Sequence, residues 1–173
     1  MTNDEKRLLQ HFLAALAYRT QKALREAPAE FADFAAGQQV RTPQDLVRHM
    51  TSVLGYACTH FIGGQYRAEA LATMSDEIAR FHEMLASLSE HIAASDPHTA
   101  NVTAEQLLQG PLADAMTHAG QLAMLRRLAG NPVPPENFIV ADIEKERLGA
   151  NQPAPASPDK EWPEAPAGWL GEG

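Results

Sequence analysis

Cysteine is almost missing from this chain. Cys58 stands alone, so neither an intrachain disulfide nor a cysteine-built zinc cage can form. Aromatic residues are scarce at 6%, which leaves few platforms for stacking single-stranded bases. Basic charge is outnumbered, with 14 Lys and Arg against 22 Asp and Glu and a net charge of −8. A general nucleic-acid binder needs the opposite balance to neutralise phosphates, so no nucleic-acid partner is expected. No run reaches the roughly 18 consecutive apolar residues of a spanning helix, and no membrane partner is expected. The opening Met1-Thr2-Asn3-Asp4-Glu5 is acidic and lacks the basic-then-apolar pattern of a secretory leader. A single thiol and no leader together point to a reducing cytoplasm.

What is present is a length of 173 residues with 45% apolar content, enough for one domain with a real core. Charge and proline are unevenly placed. Residues 1–130 carry 14 acidic and 11 basic side chains, whereas residues 131–173 carry 8 and 3. Eight of the twelve prolines follow residue 130, and no helix runs through Pro132, Pro134 and Pro135. Residues 1–130 therefore read as the folded body and 131–173 as an extended, proline-rich C-terminal tail that forms no domain of its own. Phe138, Ile139, Ile143 and Leu148 are expected to pin the first part of that tail, with a short helix over 141–147. Residues 152–155 read as extended chain. Trp162 and Trp169 are costly to leave in water and are expected to dock on the body or on a second subunit.

Helical periodicity dominates the body. A first helix is expected over 4–26, with Leu9, Phe12, Leu13, Leu16, Thr20 and Leu24 as its core stripe. Pro28 ends it. A second is expected over 42–61, capped by Thr42 with Pro43 in the first turn. Its stripe carries Leu46, His49, Val53 and Tyr56, and Gly63-Gly64 breaks it. A third is expected over 69–94, with Leu71, Met74, Ile78, Phe81, Leu85, Leu88 and Ile92 inward. Thr103 and Gln106 form a capping box for a short helix over 104–109. Gly110-Pro111 then interrupts, and a last helix follows over 111–129, stopped by Gly130. No window alternates with period two, so the fold class is all-α and the architecture a four-helix bundle.

Seven histidines are many for this length. His11, His60, His82 and His91 read as surface or edge residues, and His98 as a loop residue. His49 and His118 differ. His49 shares a stripe with apolar neighbours and is expected to face the interior. Asp114 and His118 are four apart, so their side chains share one helix face. A carboxylate turned toward an apolar core needs a partner or a metal. A divalent cation held by His49 from one helix and by Asp114 and His118 from another meets that need. The alternative is a metal-free pair in which Asp114 orients the ring of His118.

The run Arg41-Thr42-Pro43-Gln44-Asp45-Leu46-Val47-Arg48-His49-Met50 and the last-helix run from Gly110 to Gly130, with His118-Ala119-Gly120-Gln121-Leu122 at its centre, resemble the DinB-like superfamily of bacterial helical bundles. The resemblance covers about residues 5–135. It implies a metal triad with His49 as the second-helix ligand and His118 as the second ligand of the last helix. The position four before His118 is often His in the family and is Asp114 in this chain; a carboxylate is a competent ligand for zinc, iron, manganese or nickel. The resemblance also implies a homodimer and, by analogy with some relatives, chemistry on a small thiol or another small-molecule ligand. Such an ion lowers the pKa of a bound water or thiol.

Tyr56 and Gln121 are candidate pocket residues, Tyr56 with core packing as its alternative role and Gln121 as a partner of a neighbouring helix. Arg126-Arg127 complement the helix dipole or clamp a carboxylate substrate. Cys58 reads as a buried thiol, not a nucleophile. Three classes of function stay open: a metal-dependent transferase or hydrolase, a non-catalytic stress-related binding protein, and a structural dimeric bundle.

Overall fold

The computed structural model describes residues 1–98 and 102–159. Trp162 and Trp169 lie outside the described residues. The fold is all-α, with helices α1 (Asn3–Leu24), α2 (Pro43–Ile62), α3 (Met74–Ala94), α4 (Ala104–Leu107) and α5 (Ala113–Leu128). Among the described residues the only β pairing is one isolated bridge between Glu136 and Pro158.

Caps set the helix starts. Thr2, Thr42, Thr73 and Thr103 each accept a backbone N–H of the first turn, satisfying donors that the helix leaves open. Thr2 and Thr103 complete capping boxes with Glu5 and Gln106. Between α4 and α5 the chain kinks at Gly110, whose φ of −92° and ψ of −106° are not helical, just before Pro111. Gly130, at φ 76°, turns the chain out of α5 in a conformation other residues rarely adopt.

The four long helices share one core. Helix α2 packs against α3 and α5, and α1 packs against the same two. Leu13 and Leu16 of α1, Met50 and Leu54 of α2, Phe81, Leu85 and Leu88 of α3 and Leu122 of α5 fill it. The inward face of α2 is Leu46, Val47, Met50, Leu54, Ala57 and Phe61. The stripe through His49, Val53 and Tyr56 is rotated off that face, so His49 and Val53 lie at its rim and Tyr56 is 54% exposed. Core packing is thus not the role of Tyr56.

The third helix begins at Met74 and not at residue 69. Residues 63–73 instead form a strap laid along α2. Gly63 and Gly64, at φ 75° and 80°, turn the chain back, and the Tyr66 ring then lies directly on Gly55. A Cβ at position 55 would come within 2.0 Å of that ring, so only glycine allows the approach. Ser52 Oγ accepts the Ala68 N–H at 3.0 Å, and Gln44 Nε2 donates to the Leu71 carbonyl at 3.0 Å. Glu77, fully buried, accepts the Leu71 N–H at 2.8 Å and pairs with Arg80. These tertiary bonds override the helical pattern over 69–73.

Residues 131–159 run irregularly over α1 and the end of α5. Phe138 meets the Tyr18 ring edge-on, with centroids 6.3 Å apart, beneath the Arg19 guanidinium at 4.1 Å. Leu148 packs on the core margin and Ile143 is half-buried, whereas Ile139 is 91% exposed and pins nothing. The short helix expected over 141–147 is absent; the regular turn lies earlier, at Phe138–Val140, where Asn137 caps it through Ile139 N–H. Arg25 donates to the carbonyls of Gln152 and Pro153 at 3.0 and 2.8 Å. No helix of the described residues is long and apolar enough to cross a membrane.

Candidate metal centre

Helix α2 carries His49 past its own core face toward α5, and α5 carries Asp114 and His118 one turn apart. Ligand atoms of the three residues all lie within 4.8 Å of one another. The rings of His49 and His118 meet edge to face, their centroids 4.8 Å apart. His118 is buried, His49 half-buried, and the Asp114 carboxylate is 49% exposed. That exposure corrects the expectation of an inward-facing aspartate. The kink at Gly110-Pro111 ends just before Asp114, the exposed position in the first turn of α5.

The need for a partner falls instead on His118. Its Nδ1–H donates to Gln121 Oε1 at 2.8 Å, which leaves Nε2 as the ring's second polar atom to be satisfied. Nε2 is buried and makes no hydrogen bond among the described residues. Asp114 Oδ1 stands 3.3 Å from it, near enough for an ion pair with a protonated ring but off the direction a hydrogen bond requires. Gln121 thus touches the site through His118, orienting the ring, and among the described residues makes no hydrogen bond to a neighbouring helix. A carboxamide on the far nitrogen is the arrangement that holds a ligating imidazole in its tautomer.

Burial is the main influence that pushes the His49 imidazole below its usual pKa. The charge of Arg41 and the proximity of His118 add to it, and Asp114 opposes. His49 therefore stays neutral, and able to ligate, to more acid pH than a free histidine.

Two clefts meet at His49 and Ser52. One, of about 590 Å³, runs past Val53, Tyr56 and Pro111 to Asp114 and is mainly apolar. The other, of about 640 Å³, lies between α2 and the strap and is lined by arginines. Tyr56 stacks its edge on His60, 4.8 Å between centroids, at the mouth of the apolar cleft.

Three further residues depart from the sequence reading or complete it. Arg126 is buried and donates to the carbonyls of Ala23, Arg25 and Asn131 at 3.0, 3.0 and 2.9 Å. It ties α1 to α5. His82 is 6% exposed, not a surface residue, and its Nδ1–H donates to the Leu148 carbonyl at 2.6 Å. Only the position of His82 beside Phe81 on the apolar stripe hinted at this. Cys58 is buried as expected, and burial pushes its thiol up to about 11.

Compared with protein-family models, with curated proteins and with solved structures, the chain matches none. Its function is therefore read from the site alone.

Proposed function

We propose that this chain is a metal-binding four-helix bundle of the DinB-like kind with a proline-rich tail, in which His49, Asp114 and His118 hold a divalent cation: zinc, nickel, iron or manganese. The observation that carries the reading is the buried Nε2 of His118, which makes no hydrogen bond among the described residues and stands 3.3 Å from the Asp114 carboxylate in a cluster with His49. Two imidazoles and one carboxylate, from two helices, suit any of these ions and leave coordination positions open. A divalent cation in such a site acts as a Lewis acid and lowers the pKa of a coordinated water or small thiol. The protein's own part is to orient: Gln121 fixes the ring of His118, α2 fixes His49, and the paired clefts admit a small molecule from either side. Transferase or hydrolase chemistry is the activity we propose for that arrangement.

The 3.3 Å approach of Asp114 to His118 favours a second reading, a metal-free ion pair. One experiment separates them. Full-length untagged protein is exposed to each of the four metals, assayed for bound metal, and melted with and without chelator at pH 7.5 and 5.5. The metal reading expects stoichiometric metal and stabilisation of about 2.7 kcal/mol at a hundredfold excess over Kd. It also expects binding to weaken as pH falls, because protons compete with the metal for both imidazoles. A melt indifferent to chelator at both pH values overturns it and leaves the ion pair. Turnover of a glutathione-like thiol with an electrophile by the metal-loaded protein then separates an enzyme from a binding protein. The homodimer belongs to the same proposal, and light scattering that returns the 18.8 kDa mass of one chain removes it.

A further inference from the structure

Most arginines of this chain are engaged within the fold. Arg25 and Arg126 hold backbone carbonyls, Arg80 pairs with the buried Glu77, and Arg147 pairs with Asp142. Arg41 and Arg67 are different. Among the described residues neither makes a hydrogen bond or an ion pair, and both line the same cleft of about 640 Å³ beside His49. Arg41 reaches it from the residue before the α2 cap, and Arg67 from the strap that Ser52 and Tyr66 hold in place. A third arginine, Arg48, lines the same cleft and is already paired with Asp45. Glu69 is the one other acid on the wall, so two unpaired guanidinium groups face one carboxylate. In a chain of net charge −8, two unpartnered cations in one cleft are not a general surface property.

The opposite side of His49 is the apolar cleft of Val53, Tyr56 and Pro111. A molecule that spans both sides needs an anionic end and an apolar body, and its middle passes His49. We propose that Arg41 and Arg67 form an anion subsite that takes the carboxylate or phosphate of an amphipathic small molecule, whose apolar part lies along Tyr56. This names the substrate class for the site described above and rests on that reading only for where reaction would occur. The subsite itself is made of protein groups and needs no metal. Guanidinium forks suit both anions, since each offers paired oxygens to paired N–H donors.

The test is calorimetric titration of the full chain with hexanoate, hexyl phosphate and hexan-1-ol, each in metal-loaded and in chelator-treated protein. At least one anion is expected to bind at least about tenfold more tightly than the alcohol, in both forms of the protein, and to weaken as salt is raised. The tighter anion names the source as carboxylate or phosphate. Arg41→Gln with Arg67→Gln should reduce anion affinity to the level of the alcohol, and Arg41→Lys with Arg67→Lys should restore part of it. Both residues are exposed and unpartnered among the described residues, so the variants fold; the single changes, expected to give intermediate losses, serve as a second series. Equal binding of anions and alcohol, no anion binding, or a double variant that binds like the wild type would each overturn the subsite. Retained anion binding in protein that takes up no metal removes the metal reading alone. Metal uptake without anion binding removes the subsite alone.

Discussion

At the edge where α1 and α3 meet residues 131–159, the long polar side chains that are buried find backbone or side-chain partners. His82 holds the Leu148 carbonyl, Gln152 holds those of Arg147 and Gly149, and Tyr18 donates to Glu136 at 2.6 Å. At the edge where α2 meets α5, His118 is equally buried, yet its Nε2 has no hydrogen bond. Among the described residues three other buried polar atoms lack a partner: Thr20 Oγ1, Arg80 Nε and Glu136 Oε2. Arg80 and Glu136 are anchored through their other atoms, and none of the three belongs to a cluster of potential ligand atoms. A buried polar group without a bond costs about 1–3 kcal/mol; among the described residues, only at the α2–α5 edge does such an atom lie in a cluster of potential ligand groups. The first edge, which we call closed, attaches residues 131–159; the second, which we call open, is the one the metal proposal concerns.

The sharpest way to break this comparison is to disturb the closed edge at its most connected point. Arg126→Ala removes donors to three carbonyls and the link between α1, α5 and Asn131. A loss of about 3 kcal/mol or more is expected from denaturant unfolding. A loss below about 1 kcal/mol would mean that water replaces those bonds and that the edge is not closed.

The open edge is sharpened by His49→Ala. Without metal the change is expected to be nearly neutral, since His49 is half-buried and makes no hydrogen bond among the described residues. With metal it should abolish stoichiometric binding, because Asp114 and His118 alone lie on one helix and leave a single face of the ion covered. The metal-dependent stabilisation of about 2.7 kcal/mol should vanish with it. A variant that still binds one ion tightly would show that His49 is not a ligand.

His82 tests whether the closed edge responds to pH. Burial depresses its pKa, and the bond to the Leu148 carbonyl only partly opposes this. The folded protein therefore binds the proton less readily than the unfolded chain. The penalty is absent above the ordinary histidine value of about 6.5 and grows as pH falls from there toward the depressed value. Melts between pH 7.5 and 5 should show this acid loss, and His82→Asn should flatten it while its amide replaces Nδ1–H. His82→Ala should cost about 1–2 kcal/mol at pH 7.5, where the orphaned carbonyl is the main change. An identical pH profile for the wild type and the His82→Asn variant would assign the acid sensitivity elsewhere.

Helices were legible in the sequence wherever local signals agreed with tertiary packing. Thr42-Pro43, the Thr103–Gln106 box and Gly130 mark true ends. The error came at 69–73, where the helical pattern of Leu71 was overruled by the Leu71 N–H bond to Glu77 and by Tyr66 lying on Gly55. The Tyr66 contact bridges two elements, and the Glu77 bond depends on a carboxylate buried by the fold; no local period reveals either. The site was half legible. Spacing placed Asp114 and His118 on one face, but periodicity could not show that the His49 stripe is rotated to the rim and Asp114 to solvent. The strap that walls the arginine cleft was invisible for the same reason as the helix start. His82 and Arg126 were misread because their partners lie in, or beside, an irregular segment with no pattern to read.

The smallest effect discriminates most finely between the two uses of the open edge. Asp114 is about half exposed and stands 3.3 Å from His118. Ion pairs this open contribute about 0–1 kcal/mol, so Asp114→Asn in metal-free protein should change stability by less than about 0.5 kcal/mol at pH 7.5. If the pair is the purpose of the cluster, the loss should grow at pH 5.5, as a protonated ring loses its counter-charge. If the cluster is a ligand set, the metal-free loss stays small and the effect appears in metal affinity instead, because Asn offers a neutral carbonyl oxygen in place of the carboxylate. A side-by-side titration of metal affinity and of metal-free stability at the two pH values gives opposite answers for the two cases.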